Sequence, residues 1–402
     1  MSQRILLGGA LSISLCAMVV FWESIEDELE KLTKTLFGQL QSPEFVVRNG
    51  VAELIGNTPM LRIKSLSQIT GCEIYGKAEL YNPGGSPKDR VSLEILKEAE
   101  AQGRIVPGRG DTIYEGTVGS TGISLALLCK AMGYNAHIFM PSDQSMEKVH
   151  QLEALGATVE RVKPASIVDR DHYVNKARLM AEKHSNDSNL PGNGVFANQF
   201  ENPANFRAHF QGTGPEIYRD MDGKIDALVA GAGTGGTVSG ISLYLKPQLP
   251  SLKVVLADPQ GSGLSNRVKY GVLFDERERE GTRRRHQVDS IVEGVGLNRA
   301  TANFEAGAGL IDEAVRITDE QVVNMSRFLI QHEGLFVGSS TCLNLCAAVI
   351  TASRMPSGSK IVTILCDPGH RHLSKLYNDE FLITRGITPP KNVDSLDFLG
   401  IE

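Results

Sequence analysis

From residue 112 onward, short runs rich in Val, Ile and Leu alternate with stretches of helical period. Residues 112–115 (TIYE), 135–140 (NAHIFM), 157–162, 225–230, 253–257 and 360–365 read as strands, while 123–132, 145–155 and 173–183 read as helices. The stretch 145–155 carries Met146, Val149, Leu152 and Leu155 on one stripe and stops at Gly156, a C-terminal glycine signal. Strands alternating with helices of ~10–15 residues predict βαβ units, hence mostly parallel sheets covered on both faces. No repeat of fixed period interrupts the pattern. At ~100–200 residues per domain, 402 residues allow two or three units.

The amino terminus stands apart. Residues 5–22 (ILLGGALSISLCAMVVFW) carry no charge, and at ~1.5 Å per residue they cover about 27 Å, close to a ~30 Å hydrocarbon core. Trp22 falls where an interfacial aromatic is expected. A secretory signal has a shorter apolar region of ~7–15 residues, and a transit peptide is free of acid, whereas residues 23–30 (ESIEDELE) are strongly acidic. Residues 1–22 are therefore expected to form a transmembrane helix and residues 23–49 a connector. Few flanking positive charges and reduced cysteines resemble the signal anchors of the mitochondrial outer membrane, with the body cytosolic; the endoplasmic reticulum is the alternative.

Lys plus Arg number 41 against 47 for Asp plus Glu, a net charge of −6 that argues against a nucleic-acid partner. The cysteines Cys16, Cys72, Cys129, Cys342, Cys346 and Cys366 form no CxxC pair and predict buried, reduced thiols rather than disulfides or a zinc site. His370 and His372 lack a third ligand nearby and read as surface or pocket-rim residues, so no metal is expected. The mixed charges of 275–286 predict a solvated loop, with a basic docking patch at Arg283–Arg285 as alternative, and the tail after Gly386 a surface extension.

Three glycine- and serine-rich runs are where chemistry is expected. In 82–90 (NPGGSPKDR), Pro87 suits a first helical turn and Ser86 its N-cap. Lys88 then sits in the first turn of a helix, where the dipole disfavours a cation by ~0.3–1 kcal/mol and favours a neutral, nucleophilic amine. The plain alternative pairs Lys88 with Asp89 or Glu94. In 116–122 (GTVGSTG), a turn at the carboxyl end of a strand offers backbone N–H groups and the hydroxyls of Thr117, Ser120 and Thr121 to a carboxylate. In 231–240 (GAGTGGTVSG), N–H groups with Thr234 and Thr237 can grip a phosphate at a helix N-terminus. Gly231, Gly233 and Gly236, with Asp258 beyond, also satisfy a dinucleotide spacing, so an NAD-dependent enzyme competes at this point.

The combination resembles the cysteine synthase family, the fold-type II pyridoxal-phosphate enzymes that include cystathionine β-synthase, in its membrane-anchored fungal type. GNTPML (56–61), NPGGSPKDR, GTVGSTG, NQFENPAN (198–205), TGPEI (213–217), GTGGT (233–237) and EGLFVGSST (333–341) follow in that family's order over roughly residues 50–375. The resemblance implies an α/β fold of two three-layer αβα domains with mostly parallel sheets, like the tryptophan synthase β chain. Residues 50–195 would form the smaller domain, its first strands crossing to the other, and 196–402 the larger.

By the same resemblance, Lys88 forms a Schiff base with pyridoxal 5'-phosphate, and Gly233, Thr234, Gly235, Gly236 and Thr237 hold its phosphate. Ser340 faces the pyridine nitrogen, and Ser120 stands where the family has an asparagine beside the ring hydroxyl. Thr117, Val118, Gly119, Ser120 and Thr121 would bind the substrate carboxylate with Gln199, while Gly294 lines the pocket. The implied reaction is β-replacement, in which acetate leaves O-acetylserine and sulfide adds to give cysteine; a homodimer is also implied. Val118 removes one hydroxyl donor and Ser120 is shorter than asparagine, which leaves two alternatives open. One is cysteine desulfhydrase or a related β-elimination; the other is a non-catalytic, membrane-tethered cofactor-binding protein.

Overall fold

A computed structural model describes residues 47–275 and 290–401. The expected membrane helix and the connector up to residue 46 therefore lie outside the described residues, as does the patch at Arg283–Arg285. Among the described residues no helix is long and apolar enough to cross a membrane.

Among the described residues ten strands make two sheets. The first has the order β1-β2-β10-β7-β8-β9: β1 (Met60–Arg62), β2 (Glu73–Ala78), β7 (Ala227–Gly231), β8 (Lys253–Pro259), β9 (Glu313–Ile317) and β10 (Lys360–Leu365). The second has the order β5-β4-β3-β6: β3 (Thr112–Gly116), β4 (Asn135–Pro141), β5 (Thr158–Val162) and β6 (Gly194–Phe196). Every pairing is parallel except β1 with β2. Of the strands read from hydrophobic runs, β7, β8 and β10 lie in the sheet interior with all but one terminal residue buried, whereas β5 is an edge strand with Val162 its one buried residue. In β2, Gly76 lies under Leu365 of β10, where a Cβ would come within 2.6 Å of a leucine methyl.

The helices that shape the site are α1 (Lys88–Ala101), α2 (Ser120–Met132), α3 (Met146–Ala154), α4 (Tyr173–Ser185), α5 (Ala204–Ala208), α6 (Gly236–Leu245), α7 (Asp319–Glu333) and α8 (Ser339–Ala352). Gly156 takes the left-handed conformation just beyond α3, as its sequence position predicts. In α8 all residues are buried, Cys342 and Cys346 among them, because the helix is packed between the six-stranded sheet and α7.

Four expectations need correction. Pro87, not Ser86, occupies the cap position of α1; Ser86 Oγ still accepts from the Lys88 N–H at 3.3 Å. Asp275 is buried and paired with Arg316 at 2.5 Å, so the described end of the charged run is not solvated. The tail after Gly386 is not a surface extension. Ile387, Val393, Leu396 and Leu399 are buried in the main core, and the Val393 N–H donates to Gln331 Oε1 at 3.0 Å. Apolar residues at irregular spacing hid this cover from a periodicity argument. Lastly, His372 is a buried residue of the cavity wall rather than a rim residue, as described next.

Candidate active site

The carboxyl ends of β3 and β7 and the starts of α1, α2, α6 and α8 surround a cavity of about 260 Å³. Lys88 opens onto it and is half-buried, yet the protein around its amine desolvates it and lowers its basicity below the ordinary lysine value. Neither partner considered for a plain ion pair is engaged with it. Asp89 instead accepts from the Gly84 N–H and from Ser124 Oγ, and burial pushes its carboxyl up to about 6.

The start of α1 is pinned by a buried ionic network. Arg90 donates to both oxygens of Glu79 at 2.8 Å and to both of Glu216 at 2.6 and 2.8 Å. Thr58 of the GNTPML segment donates to Glu79 at 2.7 Å, and the fully buried Lys77 pairs with Glu216 and Asp220. Burial alone would raise the pKa of Glu216, but the Arg90 bonds and charge outweigh it and hold the carboxyl at about 2.

The loop after β3 brings the Thr117, Val118, Ser120 and Thr121 side chains to the cavity; Gly119 lies behind, against the Lys148 chain. Thr121 Oγ1 donates to Gln199 Oε1 at 2.5 Å, and Gln199 Nε2 donates to the Gly116 carbonyl at 3.2 Å. Beneath them Glu115 is fully buried and accepts from the N–H groups of Gly116 and Gln199 at 2.8 and 3.0 Å. Burial pushes its carboxyl up to about 8.

Gly233, Thr234, Gly235 and Thr237 face the cavity from the turn entering α6, while Gly236 is behind the surface. The helix begins at Gly236, inside the third glycine-rich run. Gly233 is forced by packing: a Cβ there would come within 1.9 Å of the Gly294 carbonyl. Gly294, packed against Gly233, and Ser340 also line the cavity. Asp258, the acidic partner of the dinucleotide spacing, is buried and accepts from the Ser265 N–H at 2.7 Å, so it faces its own loop rather than a ribose site.

Lys148, Glu293 and Asp367 of the cavity wall carried no sequence signal. Lys148 of α3 pairs with Glu293 at 2.6 Å, and Lys375 pairs with the other Glu293 oxygen at 2.7 Å. His372 lies 2.9 Å from Asp367 and 3.5 Å from Glu293, and both it and Asp367 line the cavity. Cys366 is a half-buried wall residue, the exception among the described thiols, and burial pushes it up to about 12. The Lys148–Glu293 pair joins segments 145 residues apart in sequence, which no local motif encodes.

Comparison with known proteins gives a consistent result. The family described as "Pyridoxal-phosphate dependent enzyme" matches residues 51–367. "Cysteine synthase 2" of Schizosaccharomyces pombe is 61% identical over 351 residues, covering 87% of this chain and 89% of that protein. A Saccharomyces cerevisiae relative whose name contains the word mitochondrial, also a cysteine synthase by name, is 55% identical over 336 residues, covering 83% and 84%. Among solved structures, an O-ureido-L-serine synthase superposes with a TM-score of 0.70 at 28% identity, covering 84% of this chain and all of that one (100%).

Proposed function

Because the chain belongs to the family of pyridoxal-phosphate dependent enzymes, we propose that it is a cysteine synthase that exchanges the acetate of O-acetylserine for sulfide. Its cofactor is pyridoxal phosphate. The observation that carries the reading is that a desolvated lysine amine and an uncharged helix-entry turn open on one cavity.

The residues fit the group. An aldehyde needs a neutral amine, the form toward which desolvation shifts Lys88; a phosphate needs N–H and O–H donors, which the turn 233–237 supplies at a helix N-terminus. Ser340 is a neutral partner for a pyridine nitrogen. When bound, pyridoxal phosphate supplies an electron sink for the pair left at the substrate α-carbon. The chain's own residues do the rest. Lys88 Nζ holds the cofactor and, when free, takes the α-proton, a role for which a lowered basicity suits it. Thr117, Thr121 and Gln199, with the backbone at Val118, Gly119 and Ser120, bind and orient the carboxylate. Ser120 offers a hydroxyl to the cofactor ring, and Gly294 leaves room beside it.

The full-chain protein supplied with sulfide should release acetate and form cysteine from O-acetylserine, and do so poorly with serine, homoserine esters or cysteine. Lys88→Ala should cut turnover by about 10²–10⁴-fold, the usual worth of a proton-transfer group. Bound cofactor without acetate or sulfide release from any β-substituted serine would refute the assignment.

Residues 50–195 and 196–402 are proposed as the smaller and larger domains, supported by β3 to β5 sharing one sheet and β7 to β10 the other. Residues 5–22 are proposed to anchor the protein in the mitochondrial outer membrane, supported by their length and lack of charge. Deleting residues 1–22 should release the protein from sedimenting membranes. A homodimer, twice the mass of the truncated chain, is the expected solution state of the released body.

A further inference from the structure

The turn assigned above to the phosphate has no lysine or arginine, and its side-chain donors are the hydroxyls of Thr234 and Thr237. A hydroxyl has one proton, so it serves an anion only when that proton is not spent elsewhere. Asn205 of α5 and His209, in the π-turn that continues the helix, stand four residues apart behind this turn. Both are fully buried.

Asn205 Nδ2 donates to Thr234 Oγ1 at 2.8 Å, and the Gly236 N–H approaches the same oxygen at 3.5 Å. The Thr234 oxygen is thus used as an acceptor. His209 places Nε2 3.1 Å from Thr237 Oγ1 and Nδ1 2.9 Å from Thr213 Oγ1. Burial, then the charges of Lys88 and Arg90, push this imidazole well below its ordinary value, so the ring is neutral and carries a single N–H. On Nε2 that N–H donates to Thr237 and leaves the threonine proton facing the turn. On Nδ1 it would make Nε2 an acceptor and draw that proton inward.

Packing holds both side chains in place. A Cβ at Gly236 would fall 2.0 Å from Asn205 Oδ1, and one at Gly240 2.7 Å from His209 Cβ. We propose that Asn205 and His209, the latter as its Nε2–H tautomer, are positioning residues that turn the Thr234 and Thr237 protons outward, making the turn a two-hydroxyl site for the cofactor's phosphate monoester. The proposal rests on the phosphate assignment of residues 233–237 made above.

The test titrates the full-chain apoprotein with pyridoxal phosphate and with pyridoxal, which lacks the phosphate, and follows visible absorbance. Thr234→Val and Thr237→Val calibrate the site, each weakening pyridoxal phosphate about tenfold and pyridoxal not at all. Asn205→Ala and His209→Phe should produce the same phosphate-confined loss. Asn205→Ala combined with Thr234→Val should lose no more than Thr234→Val alone, because both act on one proton. His209→Gln, which keeps an N–H, should recover most of the His209→Phe loss. In the unmodified holoenzyme, ¹⁵N spectra should place the His209 proton on Nε2, a readout independent of whether any variant folds. Equal losses for both ligands, additive losses in the double variant, or an Nδ1–H ring would each overturn the proposal. Threonine variants that keep the preference for pyridoxal phosphate would instead overturn the phosphate assignment itself, and this inference with it.

Discussion

Glu115 shows how one residue ties the substrate loop to the sheet. Its carboxyl is buried at the end of β3 under two backbone donors, and burial raises it to about 8. An unfolded glutamate titrates near ~4.3, so between about 4.3 and 8 the folded chain holds a proton that the unfolded chain has lost. Stability from this group therefore falls as pH rises through that window. Glu115→Gln, which resembles the protonated acid, should lack the loss. Urea midpoints at pH 5 and pH 8 should drop further for the unmodified protein than for the variant, and equal drops would count against a protonated Glu115. Lys88 obeys the same physics in reverse: desolvation lowers the basicity of its amine, and Lys88→Ala tests the consequence for turnover.

Among elements, α6 and α5 are matched by glycines. Gly236 and Gly240 present one bare stripe of α6 to α5, and a Cβ at Gly240 would meet the Phe206 carbonyl at 2.2 Å. Gly240→Ala must push the helices apart and should cost about 1–3 kcal/mol, read by urea denaturation, with cofactor affinity falling alongside. The C-terminal segment is a second case. Leu399 is buried against the main core, and Leu399→Ala should destabilise by about 2–4 kcal/mol; a change below about 0.5 kcal/mol would show that the tail contributes no packing.

Across the whole molecule, α3 is fastened to the far wall of the cavity. Lys148 and Glu147 reach Glu293 and Ser374, with Lys375 sharing the Glu293 carboxylate. Burial would raise the Glu293 carboxyl, but Lys148, His372 and Lys375 outweigh it and hold it well below the ordinary range. Lys148→Met should leave Glu293 paired with Lys375 while freeing α3. Amide exchange over Met146–Ala154 should then quicken about tenfold, as a loss of ~1.4 kcal/mol of local stability would give, and KM should rise more than kcat falls. Unchanged exchange would show that the ion pair does not hold the helix.

The alternating α/β architecture, the ordered glycine-rich turns and the helix-opening lysine were legible in the residues alone, because each is written in contiguous positions with a period or a backbone requirement. Short strands escaped it: β1 and β6 have three residues each, and β2 carries Gly76 and the buried Lys77, which read as polar until Glu216 and Asp220 are placed beside it. That the tail is core, that His372 belongs to the cavity, and that Asn205 and His209 stand behind the two threonines emerged with the folded chain. Those facts depend on contacts between distant segments, where burial and hydrogen-bond geometry, rather than local pattern, fix what a side chain can do.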